Sequence, residues 1–251
     1  MLDIFKPDHG TIAVLGGPMS EATKDRIGYM PEERGLYLDV SLERCLVYLA
    51  SLKGVTAAEV KQRLEHLLER FDLAQHRQMK VKELSKGMQQ KAQIIATILH
   101  RPELVIIDEP FTSLDPINMQ MVKDLIRELQ VGGSTILMST HQMHQVEELC
   151  DRILLINKGR NLLYGKVNEI KRQSAGEDIL IRTAGQLPAL EGVESEAAIN
   201  GAVKLTLAAG ISPQTVLTRL LDHGVILEKF EVALPGLDEI FIRAVSAEVE
   251  S

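Results

Sequence analysis

Along residues 104–110 four apolar positions run without a polar break, Leu104-Val105-Ile106-Ile107, and then end in Asp108-Glu109-Pro110. A short, β-branched run of this kind predicts a strand buried on both faces, stopped by the proline. Ser134 to Ser139 predicts a second buried strand, ending in Thr140-His141. Between the two, Asp115-Pro116 marks the start of a helix whose buried side carries Met121, Val122, Leu125, Ile126 and Leu129, and Gly132-Gly133 closes it. Upstream, Ser41 to about Lys53 has helical spacing, and a second helix follows Gly54. Thr56 and Glu59 make its capping box, with Val55 and Val60 as the hydrophobic staple. Val60, Leu64, Leu67, Leu68 and Phe71 form one stripe, which suits burial in its own domain or docking on a partner. At the start of the chain Leu2, Ile4 and Phe5 predict the tail of a helix, and Thr11 to Leu15 a short strand.

The later part has a different rhythm. Gln142 to Cys150 predicts a helix, and Arg152 to Asn157 with Asn161 to Tyr164 a hairpin across Lys158-Gly159. Val167 to about Gln173 is a short amphipathic helix, and residues 174–177 read as a linker. Beyond it come strands at Ile179 to Arg182, Val203 to Ala208 and Ile226 to Val232. Ser212-Pro213 opens one helix, and another follows Pro235-Gly236. This predicts a small α+β domain over residues 178–251, with no paired acids, metal spacing or Gly-rich loop of its own.

Composition narrows the function. The 251 residues carry a net charge of −7 and no Trp, which disfavours a nucleic-acid surface or a base-stacking platform. Cys45 and Cys150 have no partner motif and read as reduced core thiols. No run approaches the roughly 18 apolar residues of a membrane span, and no signal peptide opens the chain. Two adjacent acids at a strand end are either a solvated terminus or a pair of chemical tools. As tools, the first suits Mg²⁺ and the second a water that attacks a phosphate. Ser85 fits a helix N-cap with Gly87 in the first turn, an anion site in geometry and dipole.

Taken in order, Leu84-Ser85-Lys86-Gly87-Met88, Asp108-Glu109-Pro110, Ser113-Leu114-Asp115 and Thr140-His141 resemble the ATP-binding cassette (ABC) ATPases: signature loop, Walker B strand end, D-loop and switch histidine. Tyr29-Met30-Pro31-Glu32 occupies the Q-loop place. The tail is similar to the accessory domain of ATPase subunits of ABC-2-type exporters, including sodium-extrusion and drug-export systems. The resemblance implies an α/β, P-loop NTPase-like ATPase domain over residues 1–173, with a helical subdomain at about 36–100, followed by the α+β accessory domain. It also implies ATP and Mg²⁺, a membrane permease, a second ABC ATPase subunit in a homo- or heterodimer, and a cytoplasmic place on the inner face of the cell membrane.

The roles it implies are specific. Asp108 holds Mg²⁺ through water, Glu109 polarises the attacking water, and His141 contacts the γ-phosphate. Ser85 and Gly87 face ATP held by the other cassette, Asp115 links the two sites, and Glu32 meets a metal-bound water. Three departures stand out. Lys86 and Met88 replace a Gly and the Gln of the usual signature, and Glu32 stands where the family has Gln. There is also no Gly-x-x-x-x-Gly-Lys-Ser/Thr, so the resemblance implies a cassette whose Walker A segment lies before Met1. Two functions lead: an exporter ATPase represented by a truncated frame, or a non-catalytic cassette lending its signature to a partner's ATP site; a soluble cassette serving repair or translation is disfavoured by the single cassette, the acidic charge and the exporter-like tail.

Overall fold

The computed structural model describes residues 2, 4–33, 35–174, 178–185, 187–199, 201–208 and 210–249, and the chain divides into two compact units, Met1–His141 and Gln142–Ser251.

In the first unit, Ser20 caps α1 (Glu21–Asp25) by accepting from Thr23 N, and β1 (Ile27–Met30) follows. Then come α2 (Leu42–Ser51), α3 (Ala57–Arg70), α4 (Lys86–Ile98), β2 (Leu104–Asp108), α5 (Pro116–Val131) and β3 (Thr135–Ser139). The three strands are parallel in the order β1-β2-β3. Parallel neighbours need long crossovers; the helices α2 to α4 form the first and α5 the second. The capping box of α3 is present, with Thr56 and Glu59 bonded in both directions. Its stripe is used inside the unit: Val60, Leu64, Leu68 and Phe71 are all buried. Helix α4 lies close on β1. A Cβ on Gly28 would sit 2.4 Å from the Thr97 carbonyl oxygen, so only hydrogen fits there.

Three expectations for this unit need correction. Leu2, Ile4 and Phe5 form no helix, and Phe5 is 88% exposed; Met1 and Asp3 lie outside the described residues. Thr11 to Leu15 form no strand. Val14 pairs with Gly17 alone, because Gly10, Leu15 and Gly16 all take left-handed backbone and turn the chain back. Strand β3 is not buried on both faces: Thr135, Leu137 and Ser139 alternate outward, with Leu137 41% exposed. It is an edge strand of this sheet, whereas β2 is central.

The second unit opens with α6 (Met143–Leu149), the hairpin β4 (Arg152–Asn157) and β5 (Arg160–Lys166), and α7 (Val167–Gln173). Lys158 and Gly159 both have positive φ, as a two-residue hairpin turn of the primed kind requires. Next are β6 (Asp178–Thr183), β7 (Val193–Ile199), β8 (Ala202–Leu207), α8 (Pro213–Asp222), β9 (Leu227–Val232) and α9 (Leu237–Val249). The antiparallel sheet has the order β7-β8-β6-β9. Ile179, Ile181, Leu205 and Leu207 of the sheet meet Val216 and Leu220 of α8 in one apolar core.

Helix α9 does not join that core. Its Leu237 and Ile240 pack with Val167 and Ile170 of α7 and against Met143, Val146 and Leu163. Glu147 of α6 accepts from Leu237 N at 2.6 Å and from Lys171 Nζ at 2.7 Å. Burial works against the Glu147 charge, but the Lys171 ammonium and the Leu237 N–H outweigh it and hold the carboxyl below its usual range. Compactness therefore places residues 142–173 with the tail, whereas the sequence pattern divides the chain at 174–177. Ser174 caps the end of α7, and residues 175–177 of the expected linker lie outside the described residues.

Candidate functional site

The site is built where β2 and β3 end side by side. Their register pairs Asp108 with Ser139, and Glu109 N extends the ladder by donating to Ser139 O at 3.0 Å. Ser139 Oγ donates to Asp108 Oδ1 at 2.6 Å. One residue further on, Glu109 receives three donors. Its Oε1 accepts from His141 N at 2.9 Å and from the ring Nδ1 at 2.7 Å, and its Oε2 from Thr140 Oγ1 at 3.2 Å. The Glu109 side chain is only 11% exposed, whereas that of His141 is 80% exposed. Glu109 reaches this position through a backbone φ of 48°. Left-handed backbone at a non-glycine residue costs about 1–3 kcal/mol and persists only where its surroundings over-determine it.

Helix α4 supplies the second part. Ser85 caps it, accepting from Met88 N at 3.2 Å. A Cβ on Gly87 would come within 3.2 Å of Ser113 O, and Ser113 itself has a φ of 64°. The signature turn and the 111–115 loop thus approach closely because position 87 is bare. Asp115 caps α5, accepting from Asn118 N at 2.9 Å. The Asn118 backbone N–H, and then its side-chain amide, hold the Asp115 carboxyl below its usual range. Glu32 is exposed and lines a groove of about 520 Å³ with Lys82, Gln89, Gln90, Thr112 and Ser113.

The structure thus brings Asp108, Glu109 and His141 to one place. It sets Gly87 against Ser113 and puts Glu32 in the groove beside that serine. Ser85 and Asp115 act, within this chain, as helix caps.

Three buried glutamines of α4 connect these parts, and residue-by-residue reading of the sequence passes over them. Gln89 Nε2 donates to Val81 O and Leu84 O, just before the signature. Gln90 Nε2 reaches Pro110 O at 3.3 Å, beyond the acids. Gln93 Nε2 donates to Pro31 O at 2.7 Å, in the loop that carries Glu32. Buried amides are tolerated when bonded. Their signal in the sequence is amides at i, i+1 and i+4 on the same helix as the apolar Ala92, Ile94 and Ile95. Ser139 and Thr140 carry no such signal, because their use depends on the register between two strands.

Among the described residues no three His, Cys, Asp or Glu side chains converge as a metal cage. One acid at a strand end suits Mg²⁺, which keeps several waters and shares its ligands with substrate phosphates. Asp108 therefore fits that ion, and Glu109, engaged by its three donors, fits a role as acceptor. None of the described helices is long and apolar enough to cross a membrane.

Comparison with known proteins gives the family of the chain. The ABC transporter family profile matches residues 1–112. The profile of the "ATP-binding protein DrrA1-3-like, C-terminal domain" matches residues 165–245. The chain is 40% identical over 253 aligned residues to the uncharacterized ABC transporter ATP-binding protein YhaQ of Bacillus subtilis, covering 100% of this chain and 85% of that protein. It is 30% identical to the daunorubicin resistance ATP-binding protein DrrA3 of Streptomyces coeruleorubidus, covering 95% and 79%. A solved structure of an ATP binding subunit of an ABC transporter is 33% identical with a TM-score of 0.65, over 68% of this chain and 73% of the other. The α/β ATPase fold, the order of the motifs and these similarities lead to one assignment: the chain belongs to the ABC transporter ATP-binding proteins, a family of ATPases.

Proposed function

We propose that this chain is the ATP-hydrolysing subunit of an export system, coupling ATP binding and hydrolysis to transport through a separate membrane permease. The observation that carries the reading is the clamp on Glu109, a mostly buried carboxylate fixed at a strand end by residues 140 and 141. A carboxylate fixed in this way can orient an attacking water, an effect typically worth about 10²–10⁴-fold. Asp108 would hold Mg²⁺ through water, and the ion would supply charge neutralisation to the phosphates. The exposed ring of His141, by leaving Glu109 Oε1, can turn toward a γ-phosphate. Ser85 and Gly87 would present a helix N-terminus to ATP on a second cassette, Asp115 would link the two sites, and Glu32, in the adjoining loop, would meet a metal-bound water. The family of the tail and the drug-resistance relative support export over import. A peripheral place on the cytoplasmic face of the membrane is part of the same proposal, by likeness to the family.

The test is Glu109→Gln in the complex purified from native membranes through this chain. Loss of Mg-ATPase with ATP binding retained is expected; unchanged turnover sinks the assignment.

A second reading has its own observation. No Gly-x-x-x-x-Gly-Lys-Ser/Thr occurs among the 251 residues, so the phosphate cradle comes from a longer form of the protein or from another cassette. In the latter case this chain only lends its signature. Ser85→Arg then abolishes the ATPase of a mixture with a complete cassette, while Glu109→Gln leaves it intact.

A further inference from the structure

Glu109 has two carboxylate oxygens, and its surroundings treat them differently. Oε1 is held by the backbone N–H of His141 and by the ring Nδ1, and that ring belongs to a largely exposed side chain. Oε2 is held by the hydroxyl of Thr140, a half-buried residue directly after β3. A surface imidazole can rotate within nanoseconds. The Thr140 hydroxyl sits one bond from a stiff, β-branched Cβ and has little freedom.

We infer that Thr140 is the positioning residue of the site: it anchors Oε2, so that Oε1 is the oxygen turned to the attacking water once the His141 ring leaves it. A carboxylate oxygen accepts two hydrogen bonds. When the ring departs, Oε1 keeps the His141 N–H and exposes one lone pair, while Oε2 stays fixed. Without the Thr140 hydroxyl the terminal torsion of Glu109, which is broad and two-fold, loses one of its two anchors and the free lone pair loses its aim. The inference rests on the proposed catalytic role of Glu109.

Ser139 makes the parallel contact one residue earlier, with its hydroxyl on Asp108. Two consecutive hydroxyls at the end of β3 thus serve two consecutive acids at the end of β2. The same register delivers both, so the Thr140 contact is part of a pattern.

The test compares wild type, Thr140→Val, Thr140→Ser and Glu109→Gln in the native complex, following kcat, the KM for ATP and the binding of a fluorescent ATP analogue. Thr140→Val keeps size and branching without the hydroxyl. It should lower kcat about 10- to 100-fold, as expected for a hydrogen bond to a charged group, with KM and analogue affinity unchanged. Thr140→Ser should recover most of the rate, which a loss of packing alone would not allow. If Thr140→Val fails to fold, Thr140→Ala against Thr140→Ser makes the same comparison. A wild-type kcat for Thr140→Val beside an inactive Glu109→Gln overturns the Thr140 role and leaves the proposed function standing. A loss confined to KM, or a Thr140→Ser as slow as the Val variant, also overturns it. A fully active Glu109→Gln overturns both.

Discussion

The helix α4 and the helix α8 are both laid against a sheet, yet they bury different kinds of side chain. Helix α8 meets its four-stranded sheet through Val216 and Leu220, against Ile179, Ile181, Leu205 and Leu207, an entirely apolar contact. Helix α4 buries Ala92, Ile94 and Ile95, but also Gln89, Gln90, Lys91, Gln93 and Thr97. An apolar core is satisfied by volume and tolerates many arrangements. A buried amide is satisfied only by a partner at the right distance and angle. The tail is thus specified by shape, whereas the loops around the acids are specified by direction.

Three changes would sharpen or break this contrast. The largest effect belongs to Leu205→Ala, which empties a fully buried position of the tail core. It should cost about 2–5 kcal/mol, read as a lower denaturation midpoint, with the ATPase rate per folded molecule unchanged. A rate that falls in step with stability would mean that the tail core also positions the site.

Gln93→Leu is second. Gln93 is 3% exposed, and its Oε1 already lacks a partner among the described residues. Leucine removes that buried acceptor together with the donor to Pro31 O, so stability should fall by only about 1 kcal/mol. The ATPase rate should nevertheless drop several-fold, because the loop carrying Glu32 loses its tether. A large stability loss with a normal rate would make Gln93 a filler of space like Leu205.

The smallest effect is in pH. His100 follows α4 and donates through Nε2 to Ile27 O at 3.1 Å. Burial pushes its pKa down from the usual 6.5, with the Ile27 carbonyl opposing. The unfolded chain therefore binds more protons than the folded one between the lowered value and about 6.5. Stability rises with pH across that window and is lost on acidification through it. Asp178 in the tail has a lowered carboxyl: burial opposes its charge, and the Lys204 and Thr206 side chains outweigh that. Its contribution is present above the usual 3.8 and is lost only as pH falls below it. Mild acid should thus weaken the first unit before the tail. Thermal melts at pH 7 and 5.5, for wild type and His100→Gln, check this; equal slopes for the two proteins would refute it.

What the sequence makes legible follows the range of the forces involved. The Thr56–Glu59 box, the Asp115-Pro116 start of α5 and the Lys158-Gly159 turn are local, and each forms as expected. The pair Glu109 and His141 is legible as two motifs, and the structure adds that they touch. Strand β7 escapes notice because Glu194, Ser195 and Glu196 put polar side chains on an exposed edge, where alternation is lost. The apolar start of the chain misleads in the opposite way. Ile4 and Phe5 look structural but stay exposed, while Leu2 packs beside Val14 and Ile27. The packing of α9 on the hairpin and α7 is equally out of reach of the sequence, because it joins Leu237 and Ile240 to Leu163, Val167 and Ile170 across the whole antiparallel sheet. The donors on Asp108 and Glu109 could not be read at all without the pairing of β2 and β3.

That pairing has a consequence for anyone who would move this site into another protein. Asp108 meets Ser139, and Glu109 meets Thr140 and His141, because two strands keep step residue for residue. In a sheet, a slip of one residue turns every side chain to the opposite face. A graft that copies the motif letters but shortens the Gly132-Gly133 connection by one would hand each acid the wrong neighbour. The unit to transplant is a count of residues along two strands, and the letters work only when the count is kept.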